Sequence, residues 1–115
     1  MPPSPATARF EGCIPTDPAT LRLPQNARTF ALKVRGEAMV NAGILDGDVV
    51  IMEFRDARNG DIVAALINGE TTLKRYVLRR GVAFLRAEHP ALRDEIPARE
   101  LVLQGVLIAL LRIPK

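Results

Sequence analysis

Asp61-Ile-Val-Ala-Ala-Leu-Ile-Asn-Gly-Glu-Thr-Thr-Leu-Lys-Arg-Tyr-Val-Leu78 is the stretch that decides the fold. It holds two strand-like runs separated by Asn68-Gly69. Asn-Gly readily takes φ > 0 at both positions, which a tight type I′ hairpin needs. Asp61–Ile67 is therefore expected to pair antiparallel with Glu70–Leu78. The same grammar extends outward in both directions. Upstream, Phe30–Arg35 alternates apolar and polar near its end, and Asp48–Phe54 is a short apolar run entered from Asp46-Gly47. Downstream, Arg80-Gly81 marks a second turn, into Val82–Glu88. A proline-marked stretch, His89–Pro97, follows. Leu101–Arg112 closes the chain as one long apolar segment broken at Gly105, either a core strand or a sheet edge exposed for pairing.

Glu37–Gly43 departs from this pattern. It lies between Gly36 and Gly43 and holds Ala38, Met39 and Ala42. A single helical turn is expected, with Gly43 as its left-handed C-terminal residue. The fold class is thus mostly β: a small, twisted, antiparallel β domain with one short helical turn between its first strands.

Residues 1–28 read differently. Six of the nine prolines lie there, and proline fixes φ and removes a ladder donor. This segment is expected to be an extended arm, loose up to about Phe10, in front of a domain covering residues 29–115. The whole chain of 115 residues is one domain's worth of protein. Its hydrophobic content of 48% suits a globular domain, and aromatics at 4% leave the core to Val, Leu, Ile and Ala.

Composition also removes chemistries. Cys13 is the only cysteine, so there is no intrachain disulfide and no Cys-rich metal site. His89 is the only histidine, too few for a usual zinc site. Neither a metal nor a cofactor is expected. Cys13 reads as a free thiol of the arm, His89 as a loop residue, and Arg79 and Arg80 as a solvated hairpin tip. Glu53, Asp56 and Asp61 form no recognisable metal or carboxylate constellation. The longest apolar run, Val106–Leu111, is too short to span a bilayer, and Met1–Phe10 has no apolar signal-peptide core. A cytoplasmic protein with no membrane association is expected. The net charge of +3 permits a polyanion partner without arguing for one.

Function enters through resemblance. Phe30-Ala-Leu-Lys-Val-Arg-Gly-Glu-Ala-Met-Val-Asn-Ala-Gly-Ile-Leu-Asp-Gly-Asp-Val-Val-Ile51, then Arg58-Asn-Gly-Asp-Ile-Val-Ala-Ala-Leu-Ile67 and Thr71-Thr-Leu-Lys-Arg75, resembles the LexA/UmuD family of self-cleaving serine peptidases in order and spacing. The resemblance implies a signal-peptidase-like β fold and a Ser-Lys dyad. The nucleophilic serine of the family falls on Ala38, which has no hydroxyl, so this chain is expected to be catalytically dead. Two origins are open: a serine replaced to trap the intact form, or a natural peptidase-dead relative.

The family's general base falls on Lys74. A lysine amine is useless as a base while protonated, and its unperturbed pKa is about 10.4. Burial disfavours the charged form, so a lysine on a strand with apolar residues on both faces can take a hydroxyl proton without histidine. The backbone N–H groups of Ala38 and Glu37, at the start of the turn, are the natural oxyanion donors. Arg75 is expected on the opposite face as a solvated charge.

The resemblance further implies a single cleavage at an Ala-Gly or Cys-Gly bond upstream of the core. Gly12-Cys13 has the reverse order, and Ala42-Gly43 lies inside the helical turn. The chain is thus expected to begin after the scissile bond. It also implies a homodimer, stimulation by RecA filaments on single-stranded DNA, and operator DNA bound only through a helix-turn-helix domain absent here. The alternatives are an UmuD-like translesion-synthesis factor and a peptidase-dead dimerisation module of a phage-type repressor.

Overall fold

In the computed structural model, Asn68 and Gly69 have φ of 52° and 81°, the left-handed pair that a type I′ turn requires. The strands they join run antiparallel, from Ile67 opposite Glu70 to Ile62 opposite Arg75. The structure describes residues 13–16, 28–92 and 95–112. The strands are β1 (Cys13–Thr16), β2 (Thr29–Val34), β3 (Val49–Glu53), β4 (Ile62–Ile67), β5 (Glu70–Arg79), β6 (Val82–Arg86), β7 (Glu95–Pro97) and β8 (Val102–Leu111). They form one sheet in the order β1-β2-β3-β8-β4-β5-β6-β7, antiparallel at every pairing. The expected mostly-β antiparallel fold is what the chain adopts. β2 to β6 lie within one or two residues of the expected runs.

The expected helical turn is a 3-10 turn, Val40–Ala42, closed by Gly43 at φ 81°, whose N–H donates to the Val40 carbonyl. One expectation needs correction. The closing segment is not broken at Gly105 but runs as a single strand, Val102–Leu111. Gly105 instead marks an irregularity: the register against β4 shifts between Ala64 and Ala65, so Gln104 is the extra residue of a bulge. Of the two readings open for this segment, the outer-edge one gives way to the core-strand one: β8 is flanked by β3 along Val106–Leu111 and by β4 along Val102–Val106. β7 lay hidden in the proline-marked stretch; three residues ending in proline are too few to show alternation.

Of the arm read over residues 1–28, only Cys13–Thr16 and Arg28 fall among the described residues. Cys13–Thr16 is the edge strand β1, where Pro15 is tolerated because one side of the ladder pairs with no strand among the described residues.

Burial explains why β4 is almost uninterruptedly apolar. Ala64 packs with Leu32, Val34, Met39, Ile44, Val50 and Met52 on one side of the sheet. Val63 and Ala65 pack with Leu85, Ala98 and Val106 on the other. A strand buried on both faces reads as a continuous run instead of an alternation.

Candidate active site

The site is a loop held by its own acidic residues. After β2 the chain reverses at Gly36, at φ 88°, a conformation that favours glycine. The Gly36 N–H donates to Asp46 Oδ1 at 2.8 Å. Two backbone bonds tie Val34 to the far end of the loop, its N–H to the Asp48 carbonyl and its carbonyl to the Gly47 N–H, each 2.8 Å. Within the loop Val40 N–H donates to Glu37 O at 3.1 Å and Ala42 N–H to Met39 O at 3.0 Å, while the Met39 side chain is buried in the core. Outside the loop, Asn41 N–H donates to Glu88 O, just past β6, at 2.7 Å.

Asp48 is 1% exposed and fully engaged. It accepts Arg112 Nε at 2.8 Å and Nη2 at 2.7 Å, and the Leu45 N–H at 2.7 Å. Arg112 Nη2 also donates to Gly43 O at 2.8 Å. The hydrogen bond from Arg112 pulls the Asp48 carboxyl below the usual carboxylate range, against burial, with help from the Leu45 N–H and the Arg112 charge. Sequence reasoning read Asp46-Gly47 only as a turn former; the paired acidic residues two apart were the signal that each has its own partner.

Ala38 is half-buried and lines a depression of about 210 Å³, open to solvent, together with Cys13, Val34, Arg35, Met39 and Leu73. The N–H groups of Glu37 and Ala38 meet no acceptor among the described residues. Lys74 follows Leu73 on β5, opposite Val63, and is half-buried. The strand pleat turns its Cβ away from the side on which Leu73 meets the depression. The β6 ladder begins one residue later, at Arg75 opposite Arg86. The β5 edge from Glu70 to Lys74 therefore pairs with no strand on that side among the described residues, and β1 packs against β5. The structure brings Ala38 and Leu73 to one cavity, with Lys74 next in line at an open strand edge.

The neighbouring charges differ from the sequence reading. Arg75 is no simple solvated charge: its Nε donates to Glu88 Oε1 at 2.8 Å and its Nη1 to Gly60 O at 2.6 Å. Arg86 Nη2 reaches the same Glu88 oxygen at 3.3 Å. Burial pushes the Glu88 carboxyl up, but hydrogen bonds from Arg75 and Arg86 and their charges outweigh it and hold it below its ordinary value. Arg79, read as a solvated tip, pairs with Glu95, with Nη2 to Oε2 at 2.6 Å, and lies over the Phe84 ring. Arg80 at φ 52° sits in the exposed turn itself.

Cys13 is a free thiol, yet it belongs to the core, and burial pushes its pKa up to about 12. A protonated thiol is a poor nucleophile. His89 lies in the loop after β6, its Nδ1 accepting the Ala91 N–H at 2.9 Å. Among the described residues, no group of three or more His, Cys, Asp or Glu could hold a metal ion, and no helix is long and apolar enough to cross a membrane.

The one-sheet β domain carries the Gly36–Asp48 loop and, on the hairpin beyond it, Leu73-Lys74-Arg75, and its class is that of a peptidase-family domain. The chain belongs to the Peptidase S24-like family, whose model matches residues 2–108. It is similar to the LexA repressor of Verrucomicrobium spinosum, 54% identical over 102 residues, which is 89% of this chain and 50% of that protein. The LexA repressor of Opitutus terrae is 42% identical over 96 residues, 83% of this chain and 48% of that protein. That of Leptospira interrogans is 44% identical over 89 residues, 76% and 43%. The chain spans half or less of the length of these relatives. The resemblance to the C-terminal domain of LexA repressors read from the signature is upheld.

Proposed function

We propose that the chain is the self-cleavage and dimerisation domain of a LexA-like SOS repressor in which alanine occupies the nucleophile position. The observation that carries this reading is the depression shared by Ala38 and Leu73, beside turn amides that meet no acceptor among the described residues. With serine at position 38, the Lys74 amine takes the hydroxyl proton as Oγ attacks the scissile carbonyl. The lysine stem is long and flexible, and the reading requires it to carry the amine round the β5 edge to the Ala38 side. The N–H groups of residues 37 and 38 hold the oxyanion. The proton then goes to the leaving amine, and water hydrolyses the acyl-enzyme. Alanine offers no oxygen, so this chain stops before the first step.

In the intact protein, which works in the cytoplasm, a helix-turn-helix domain outside this chain binds operator DNA, and RecA filaments on single-stranded DNA stimulate cleavage. A second reading is favoured by Ala38 itself: a naturally peptidase-dead dimerisation module of a phage-type repressor. An UmuD-like factor remains the alternative that lacks the DNA-binding domain.

Restoring the hydroxyl separates the first two readings. The Ala38→Ser protein is incubated with a peptide containing an Ala-Gly bond, and products are followed by mass spectrometry across pH. Cleavage is expected in Ala38→Ser and is expected to vanish in Ala38→Ser with Lys74→Ala. A folded Ala38→Ser protein that cleaves nothing at any pH establishes the module.

A further inference from the structure

We infer that Glu88 is a positioning residue that fixes the Ala38 turn relative to the Lys74 strand; this rests on the dyad reading above. The loop from Gly36 to Asp48 makes most of its bonds within itself or to Arg112. Its hydrogen bond toward the β5–β6 half of the sheet is Asn41 N–H to the Glu88 carbonyl, 2.7 Å. Asn41 lies three residues from Ala38, inside the 3-10 turn. The same Glu88 uses its carboxylate on Arg75, the residue beside Lys74, at 2.8 Å. One residue thus grips the turn through its main chain and β5 through its side chain.

The grip is rigid at both ends. Arg75 is held a second time by the Gly60 carbonyl at 2.6 Å. Around it, Tyr76 N–H donates to Asp61 O and Gly60 N–H to Tyr76 O, at 2.7 and 2.8 Å. Arg86 shares the Glu88 oxygen at 3.3 Å, so the carboxylate is clamped between two guanidinium groups. Glu88 lies two residues past the end of β6, outside the strand ladder, so its side-chain contacts help to keep its carbonyl aimed at Asn41. Glu88→Gln keeps the shape and removes the charge, so the clamp weakens and the carbonyl loses its aim. A dyad depends on sub-ångström placement, and a misplacement of about 1 Å lowers a rate about a hundredfold.

The test compares Glu88→Gln with Glu95→Gln. The latter removes the Arg79–Glu95 ion pair, which touches neither the turn nor Arg75, together with the longer Arg86–Glu95 pair at 3.8 Å, so it also tests whether loss of an Arg86 partner alone frees the turn. Amide hydrogen exchange is read by NMR below the unfolding temperature. In Glu88→Gln the Asn41 amide is expected to exchange about tenfold faster, with β4 core amides unchanged, and in Glu95→Gln to exchange as in the parent. In the Ala38→Ser background, Glu88→Gln is expected to lower kcat for the Ala-Gly peptide about ten- to a hundredfold with KM unchanged. A Glu88→Gln protein that melts earlier but keeps the parental Asn41 exchange and kcat overturns the inference. If Ala38→Ser alone cleaves nothing, the dyad reading falls, while faster Asn41 exchange still supports Glu88 as the residue that holds the turn.

Discussion

Asp48 shows how much of the site depends on a single side chain. A carboxylate so completely buried survives only because Arg112 and the Leu45 N–H satisfy it. Arg112 is half-exposed, so removing Asp48 leaves a cation that water can solvate, whereas the Leu45 end of the loop loses its fixed charge. Asp48→Asn keeps an acceptor for Leu45 and discards the charge, a loss of roughly 1–3 kcal/mol at neutral pH. Its pH dependence follows from the lowered carboxyl. In the unfolded chain Asp48 titrates near the ordinary value of about 3.9, so its stabilisation is fully present above that value. It is lost as pH falls through the lower folded value. Urea unfolding of parent and Asp48→Asn should therefore diverge most at pH 7 and converge toward pH 2; a gap that does not change with pH refutes the pairing as its source. Legibility at this scale was uneven. Ala38, Lys74 and the turn glycines were readable because signature spacing and φ > 0 chemistry are local. The partners of Asp48 and Arg75 were not, since Arg112 and Glu88 lie 64 and 13 residues away and nothing local marks them.

Elements were legible where turn chemistry punctuated them and obscure where packing decided. Asn68-Gly69 and Arg80-Gly81 announce hairpins, and both take φ > 0 at both positions. Gly105 carries no such announcement. Read locally, a glycine inside an apolar segment looks like a break. Its role is set by β2 and β3, which are distant in sequence: a Cβ there would lie 2.9 Å from the Phe30 ring and 3.1 Å from the Glu53 carbonyl oxygen. The ring is the softer neighbour; the carbonyl belongs to the β3 backbone and cannot swing aside alone. Gly105→Ala is thus an overpacking change, expected to destabilise by about 1–3 kcal/mol. The Phe30–Phe54 contact, with centroids 4.8 Å apart, should loosen with it. Denaturant midpoints measure the first effect, and the ring resonances of Phe30 and Phe54 report the second. An unchanged midpoint would show that the Phe30 ring and the Glu53 carbonyl both yield freely and that the position does not require glycine.

On the scale of the whole sheet, strand order constrains how two copies can meet. An apolar closing strand at an edge could pair with its symmetry mate through the backbone. β3 and β4 flank β8 in the strand order, but β3 pairs with it only along Val106–Leu111 and β4 only along Val102–Val106, so each half of β8 keeps one ladder side without a strand partner among the described residues, while the sheet ends on the short strands β1 and β7. Short edges are a common defence against strand addition. β8 also offers side chains. Val102 is 58% exposed and sits directly opposite Leu66, also exposed, so the two form one apolar patch across β4 and β8. Ile108 is exposed farther along the same strand. A twofold dimer presents the same patch twice, and the core of such an interface excludes charge. The proposed homodimer should therefore be sensitive to Val102→Glu and indifferent to charge on β7. The substituted side chain is already solvated in the single chain, so the fold itself should keep its thermal midpoint within about 0.5 kcal/mol. Sedimentation equilibrium over a range of concentrations gives the answer. A dimer for the parent and a monomer for Val102→Glu support face-to-face association through β4 and β8. A Val102→Glu protein as dimeric as the parent moves the contact to backbone pairing, either at the short edges β1 and β7 or along the part of β8 beyond Val106 that β4 leaves unpaired.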